Sequence, residues 1–191
     1  WHLDVFGVDG HEQRVLADAD VPDTIATDHI AQWMQTTPRL VFFRRVGGQT
    51  GQLTLNTFDA DRATVTTTVS DLAKGLFASP SQPERVALVE RNAGQIRGVL
   101  MNLDGSQRTS IFQTESTGGY GDPAWSADGR YVAVSWSNGQ GTQRDVHLSW
   151  LKADGTGLLD VHGYIDVKEL RFAGDTALFL AKQPADQDFS L

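Results

Sequence analysis

Short apolar runs recur along the chain at nearly constant separations, and this repeat limits the possible folds more than any other feature of the sequence. The runs occupy residues 40–43, 86–89, 131–134 and 177–180, and their first residues are 46, 45 and 46 positions apart. They are shorter than ordinary helices and rich in Val, Phe and Leu, which predicts β-strands. Because polar residues do not alternate within them, each strand should be covered on both faces.

Each run is followed by a polar loop and then by two segments of alternating polarity. The first segments are residues 52–58, 97–103 and 145–151, and the second are residues 63–69, 108–114 and 157–162. Asp104-Gly105 and Asp154-Gly155 separate two of these pairs. Asp-Gly predicts a type I′ hairpin turn, because Gly adopts positive φ freely and Asp tolerates it. Each repeat therefore predicts four antiparallel strands, the size of one β-propeller blade.

An aromatic residue precedes each apolar run, and the strongest motif lies around the third one. Residues 122–134 read Asp-Pro-Ala-Trp-Ser-Ala-Asp-Gly-Arg-Tyr-Val-Ala-Val. This segment resembles the repeat of TolB-like β-propellers, whose blades open with Pro-x-Trp-Ser-x-Asp-Gly. Phe77 and Phe172 keep parts of the pattern without the Asp-Gly at the same place, and Trp33 opens the most divergent repeat. The resemblance covers nearly the whole chain as a periodicity, and its motif is a marker of the fold; what it implies about function rests on analogy with the family.

The two ends of the chain have matching phases in the repeat. Residues 1–17 contain an alternating segment, Asp9-Gly10 and a second segment, which is the pattern of the outer half of a blade. The chain is thus predicted to be one all-β propeller domain of about four blades over residues 1–191. The blades are residues 32–70, 76–115, 122–162 and 164–191, the last completed by residues 1–17. In the alternative interpretation, the chain is part of a larger propeller. Asp23 is expected to cap a short helix that ends at or before Trp33.

Composition excludes several classes of function. Lys and Arg number 16 and Asp and Glu number 24, so the formal charge of −8 argues against a nucleic-acid partner. The chain has no Cys, which excludes disulfides and thiolate ligands. No apolar run approaches the roughly 20 residues of a membrane-spanning helix. The five His have no metal-ligand spacing, and neither a nucleophile elbow nor a phosphate-loop lysine occurs. We therefore predict no metal and no cofactor.

Polar residues recur in two classes of loop that should emerge at the same end of a propeller, near the mouth of its channel. One class connects the outer strand of a blade to the inner strand of the next, and the other joins the second and third strands. Their candidate binding residues are His29, Gln49, Gln95, Tyr120, Asp122, Gln140, His162 and Tyr164. These side chains could form a rim that contacts a peptide, a sugar or another small ligand. The alternative is that they serve only in turns and as inherited repeat features.

The function predicted from the sequence is a non-catalytic binding or scaffold module that recognises a protein or a small ligand. Two alternatives remain: a hydrolase or lyase with its site at the channel mouth, and an accessory or sensory domain of a larger peptidase or transcription regulator. The TolB-like resemblance implies protein–protein contacts in the bacterial envelope and hence a periplasmic or cell-envelope location. Trp33 and Trp125 are expected in blade cores. Trp136 and Trp150 are expected either between blades or as exposed anchors.

Overall fold

The regular elements of the computed structural model are all strands among the residues it describes, which are 2–6, 13–18, 31–34, 37–46, 52–69, 72–115, 117–139, 144–174 and 176–182. The first half contains β1 (His2–Phe6), β2 (Gln13–Asp18), β3 (Ala31–Trp33), β4 (Arg39–Val46), β5 (Gln52–Asp59), β6 (Thr64–Val69), β7 (Leu72–Ala78) and β8 (Arg85–Asn92). The second half contains β9 (Gln95–Asn102), β10 (Thr109–Glu115), β11 (Ala124–Trp125), β12 (Tyr131–Asn138), β13 (Asp145–Lys152), β14 (Leu159–Tyr164), β15 (Asp166–Ala173) and β16 (Thr176–Lys182).

Three of the sheets have four antiparallel strands in simple chain order. The first sheet is β3-β4-β5-β6, the second is β7-β8-β9-β10 and the third is β11-β12-β13-β14. The fourth sheet contains β15 and β16, and β1 and β2 form a separate two-stranded hairpin. The prediction of all-β, four-stranded repeats is therefore confirmed for three repeats, and the described strands of the fourth sheet are two. Among the described residues, no strand pairing joins β1 or β2 to β15 or β16.

The apolar runs lie in the second strand of each sheet and form the cores between neighbouring sheets. In β8 the side chains alternate between two clusters, with Val86 and Leu88 facing the first sheet and Ala87 and Val89 facing the third. All four are essentially inaccessible to solvent. A further cluster around Leu148 and its neighbours joins the third sheet to the fourth. Covering of the second strands on both faces explains why these sequences lack alternation.

Hydrogen bonds also join residues about one repeat apart. The Trp125 Nε1–H donates to the Phe77 carbonyl at 2.8 Å, across the interface between the second and third sheets. The Ser81 hydroxyl donates to the Asp128 carbonyl at 2.6 Å across the same interface. The backbone N–H of Ala78 donates to Oε1 of Gln32 at 3.1 Å between the first and second sheets. Neighbouring sheets are therefore held in a fixed register by polar as well as apolar contacts.

Arg85 is a buried cation between the second and third sheets. Its Nε donates a hydrogen bond of 2.9 Å to the carbonyl of Ala153. Ala153 lies in the turn that follows β13 of the third sheet. Its Nη1 donates to Oδ1 of Asn102 at 3.1 Å and to the Gln107 carbonyl at 3.2 Å. Burial lowers the pKa of the Arg85 guanidinium, and the carboxylate of Asp154 acts in the opposite direction. Arg85 therefore ties together the turns of two sheets.

The Asp-Gly turns differ from the predicted type I′ geometry. Gly105 and Gly155 have φ values of 84° and 86°, but the preceding aspartates do not have positive φ, which a type I′ turn requires. Gly105 N–H donates to the Asn102 carbonyl at 2.9 Å, so Gly occupies the last position of an ordinary turn. The aspartate side chains explain why this type of turn forms. Each accepts a hydrogen bond from the backbone N–H two residues on, as Asp104 does from Ser106 at 2.8 Å.

The same carboxylate arrangement occurs in the turn between β11 and β12. Oδ1 of Asp128 accepts a hydrogen bond from the Arg130 N–H at 3.0 Å and one from the Ser126 hydroxyl at 2.7 Å. The backbone bond from Arg130 leads the causes that lower the pKa of Asp128 to about 2. The pKa values of Asp104 and Asp154 are also lowered, chiefly by hydrogen bonds from Ser106 and Thr156.

Two sequence predictions about aromatic residues are wrong in detail. Phe77 is not the counterpart of Trp125, because Phe77 pairs with Ala87 and Ala78 takes the place before the turn. The turn between β7 and β8 is one residue longer than its equivalent in the third sheet, which shifts the phase of the strand. Trp33 lies in β3, so the predicted helix does not include residues 31–33; residues 19–30 lie outside the described part of the chain. The side chain of Trp33 is 48% exposed. It lies on the face of the first sheet that points away from the second sheet.

The described residues contain no helix with the length and apolar character that crossing a membrane requires.

Candidate functional site

The antiparallel order of each sheet sends two kinds of connection to the same end. The loops between β8 and β9 and between β12 and β13 emerge there, as do the connections from β10 to β11 and from β14 to β15. We call this the upper end of the sheets, and the opposite end, with the Asp-Gly turns, the lower end. The sequence prediction that these two loop classes share one end follows from this topology.

The connection from β10 to β11 is held against the third sheet. Tyr120 forms an isolated antiparallel bridge with Trp136. Gly121 N–H donates to the Ser135 carbonyl, and Ser137 N–H donates to the Gly119 carbonyl, both at 2.8 Å. A Cβ on Gly121 would lie 2.5 Å from Oγ of Ser135, so a side chain at this position would force the Ser135 hydroxyl to move. The Gly-rich segment is therefore an ordered extension of the inner strand, which its sequence did not indicate.

A row of stacked rings crosses the upper part of the third sheet. The Trp136 indole stacks on Phe112 of the second sheet with ring centroids 5.4 Å apart. The imidazole of His147 also stacks on Trp136, with ring centroids 3.9 Å apart, and His162 stacks on His147 at 5.2 Å. These residues come from β10, β12, β13 and β14, so the row spans from a buried aromatic ring to a solvent-exposed imidazole.

A chain of hydrogen bonds fixes the orientation of the His147 ring. The Trp136 Nε1–H donates to Oγ of Ser149 at 2.8 Å, and the Ser149 hydroxyl donates to Oδ1 of Asp160 at 2.5 Å. Nδ1 of His147 lies 2.7 Å from Oδ2 of Asp160, and since a carboxylate only accepts, Nδ1 is the donor. The other ring nitrogen of His147 is thereby directed away from Asp160.

The carboxylate of Asp145 lies within 4 Å of both imidazoles. Its Oδ2 is 3.5 Å from Nε2 of His147 and 3.7 Å from Nδ1 of His162. Nε2 of His147 is buried and has no hydrogen-bond partner. The neighbouring side chain of His162, in contrast, is 63% exposed. We call Trp136, Asp145, His147, Ser149, Asp160 and His162 the His147 cluster. It offers a flat exposed ring, a carboxylate and an oriented imidazole.

The geometry of the cluster differs from that of a Ser-His-Asp triad. In a triad, the serine hydroxyl bonds to the histidine nitrogen that faces away from the aspartate. Here the Ser149 hydroxyl donates to Asp160 itself, so the imidazole cannot take its proton directly. Within the described ranges, no group of three or more His, Asp or Glu side chains has an arrangement that could hold a metal ion.

Two of the predicted rim residues contact the ring row at separate points. Tyr120 bridges to Trp136, and His162 stacks on His147 at the other end of the row. His162 is a residue of β14, although the sequence placed it in a connection. Burial raises the pKa of the Tyr120 phenol; the charge of Arg91 lowers this pKa and that of Asp122 raises it further. Asp122 itself is exposed in the connection before β11.

Two other predicted rim residues that the structure describes, Gln95 and Tyr164, make contacts outside the cluster. Gln95 begins β9 and accepts a hydrogen bond from Nε2 of Gln113 at 2.9 Å. Tyr164 ends β14 and packs edge-on against Phe179 of the fourth sheet, with ring centroids 5.8 Å apart. His29, Gln49 and Gln140 lie outside the described residues.

Sequence reasoning missed His147, Asp160, Ser149 and Asp145 as a group. His147 and Ser149 alternate with apolar residues in a segment that was correctly predicted as a strand, so their common face was readable. Their partner on β14 was not, because a bulge shifts the pairing of β13 with β14 near this point. Trp136 is a packing residue with 9% exposure, which decides between its two predicted roles.

No protein-family model matches the chain. No curated protein sequence matches it either. Among solved structures, the chain is similar to acylaminoacyl peptidase from Pyrococcus horikoshii, with a TM-score of 0.55 and 8% identity over 79% of this chain. The match covers 28% of the peptidase, so the chain spans just over a quarter of that protein. A second similar structure is TolB from Acinetobacter baumannii, with a TM-score of 0.41 and 11% identity over 94% of this chain and 56% of TolB. The likeness to the peptidase shows a propeller-like, all-β fold.

Proposed function

We propose that the protein is a binding module of propeller type that contacts a protein partner through the His147 cluster at the upper end of its third sheet. The observation that carries this proposal is the combination of an oriented, buried imidazole with an exposed imidazole and an exposed carboxylate. The side chain of His147 is 12% exposed, whereas those of His162 and Asp145 are 63% and 47% exposed. The buried side of this surface is held by hydrogen bonds and ring stacking, and its other side is exposed to solvent.

Rigidity favours recognition, because ordering a flexible surface on binding costs free energy. The ring row and the chain from Trp136 through Ser149 to Asp160 fix His147 before any partner arrives. Asp145 places a carboxylate oxygen where a partner side chain could donate a hydrogen bond. The exposed face of the His162 ring offers an area on which a flat or cationic group could stack.

A hydrolase or lyase is the second candidate, favoured by the close pair of His147 and Asp160. A histidine that donates Nδ1–H to a carboxylate is the usual general-base arrangement. The buried Nε2 of His147 and the commitment of the Ser149 hydroxyl to Asp160 weigh against it. If it holds, H147A should abolish an activity found on a panel of ester, peptide and glycoside substrates, whereas the binding proposal expects no such activity.

The sheets are proposed to be blades of one propeller, either a ring of about four or part of a larger one. The rim residues Gln95, Tyr120, Asp122 and Tyr164 are proposed to extend the contact surface beyond the cluster, together with His29, Gln49 and Gln140. An accessory role beside a catalytic domain fits a chain that resembles only a part of a peptidase. We also propose a periplasmic or cell-envelope location and a partner from that compartment, by analogy with the TolB-like repeat that residues 122–134 resemble.

The test is affinity capture from a cell-envelope extract with the wild-type chain and matched variants. D145N and H162A change the exposed members of the cluster, and D61N removes an exposed carboxylate from a lower turn of the first sheet. We expect a protein that the wild type and D61N retain and that D145N and H162A lose. Equal capture by all four proteins would place the contact surface elsewhere.

A further inference from the structure

The fourth sheet has an open edge and an open apolar groove. Among the described strands, β16 pairs only with β15, whereas the second strands β4, β8 and β12 each have partners on both sides. A groove of about 630 Å³ lies beside this edge, lined by Trp150, Leu159, Phe172 and Phe179 among others. Leu159 is 56% exposed and Leu178 of β16 is 47% exposed. The unpaired backbone N–H and C=O groups of such an edge, together with exposed apolar surface, favour pairing with another strand.

The N-terminal hairpin has the pairing of an outer hairpin. Val5 pairs with Arg14 and Asp4 with Val15, after which a bulge makes Leu3 pair with Ala17. Paired residues are thus 9, 11 and 14 positions apart. In β9–β10 the pairs Leu100–Thr109, Val99–Ser110 and Gly98–Phe112 have the same separations and the same bulge. In β5–β6 the pairs Thr57–Thr66, Asn56–Thr67 and Leu55–Val69 repeat them again.

This shared pairing gives a register for the hairpin on the fourth sheet. In the three complete sheets, the residues equivalent to Val5 are Thr57, Leu100 and Trp150, and their partners in the second strand are Val41, Ala87 and Ala133. The position equivalent to Ala133 in β16 is Leu178, since Phe172 pairs with Ala177 as Trp125 pairs with Val132. Val5 therefore falls opposite Leu178, and Phe6 opposite Ala177. The five residues of β1 then fit within the seven of β16.

We propose that the hairpin β1–β2 of the same chain binds along the free edge of β16 and covers the groove beside the third sheet, completing a fourth four-stranded sheet. Backbone hydrogen bonds of β1 satisfy the open edge of β16, and the hairpin covers Trp150 and Leu159. The choice of this occupant rests on its bulge and pair separations, which it shares with the outer hairpins of the first and second sheets. It goes beyond the proposed binding function and does not depend on it.

Engineered disulfides test the register directly, because the chain has no native Cys. Neighbouring pairs in an antiparallel ladder alternate in geometry, so we choose two adjacent pairs, V5C/L178C and F6C/A177C. The control is V5C/K182C, in which the second position is four residues farther along β16, about 13 Å away. Each protein is oxidised at low concentration and analysed by intact mass, thiol titration and non-reducing electrophoresis. Circular dichroism of the reduced variants and of each single-cysteine variant checks folding.

We expect one or both in-register pairs to form an intramolecular disulfide in most molecules, and the control pair to keep free thiols. Covalent dimers of the in-register variants would mean that a second copy supplies the hairpin, which overturns the proposal. Free thiols in both in-register variants, in protein with native circular dichroism, would also overturn it. Equal cross-linking of the control and the in-register pairs would refute the register.

Discussion

Arg85 should contribute more to stability than any surface arginine of this chain, because it joins two sheets from a buried position. Its guanidinium donates three hydrogen bonds, to the carbonyls of Ala153 and Gln107 and to the side chain of Asn102. Hydrogen bonds from a charged donor contribute about 1.5–3 kcal/mol each, and the desolvation of the guanidinium offsets a large part of the sum. We therefore expect R85A to lower the free energy of unfolding by about 3 kcal/mol.

The chain offers a matched control in Arg130, which precedes the third apolar run as Arg85 precedes the second. Arg130 is exposed, and its guanidinium forms an ion pair with Asp128 in the same turn. Exposed pairs contribute about 0–1 kcal/mol, so R130A should be nearly neutral. In urea, with a slope of about 2 kcal/mol per molar, R85A should lower the midpoint by about 1.5 M. If R85A and R130A unfold within about 1 kcal/mol of each other, the claim that Arg85 holds two sheets together is refuted.

Three further outcomes are expected from unfolding measurements. D128N should flatten the dependence of the free energy of unfolding on pH in the acid range. The pKa of Asp128 is lowered to about 2, so the ionised carboxylate gives stability that is present above about pH 4 and lost as the pH falls towards 2. An unchanged profile between pH 4 and 2 would contradict this. G98A should cost about 1–3 kcal/mol, since its Cβ would overlap the buried ring of Phe112, and F112L should relieve most of that loss. W125F should cost about 1 kcal/mol through loss of the bond to the Phe77 carbonyl, and an unaltered midpoint would place the indole N–H in solvent.

The repeat could be recognised from the sequence because a strand that is buried on both faces has an uninterrupted run of apolar residues. The residues of β8 and β12 that contact two neighbouring sheets are all apolar over four positions, and both runs were found at the repeat spacing. The outer strands of the first three repeats were also predicted within about two residues, since one solvated face imposes alternation. These features depend only on local burial, which a single sequence records.

The details that failed depend on pairing between strands. One extra residue in the turn before β8 moves Phe77 to the opposite face from Trp125, and apolar spacing does not reveal a shift of that size. The turn type of Asp-Gly was missed because the aspartate side chain, bonded to the N–H two residues on, favours a turn in which only Gly has positive φ. The His147 cluster was missed for a related reason, since its members meet only through the register of β13 with β14.

The His147 cluster and the proposed hairpin site lie on opposite faces of the third sheet, which makes the two proposals separable. His147 and Ser149 face the second sheet near the upper end, whereas Trp150 and its neighbours face the fourth sheet near the lower end. Effects of substitutions without shared partners usually add, so D145N and H162A should leave cross-linking of V5C/L178C unchanged. Conversely, the oxidised disulfide should leave capture of the partner unchanged. If the cross-link instead weakened capture, the hairpin and the His147 cluster would have to be parts of one coupled surface, and the assignment of the site to the third sheet alone would fail.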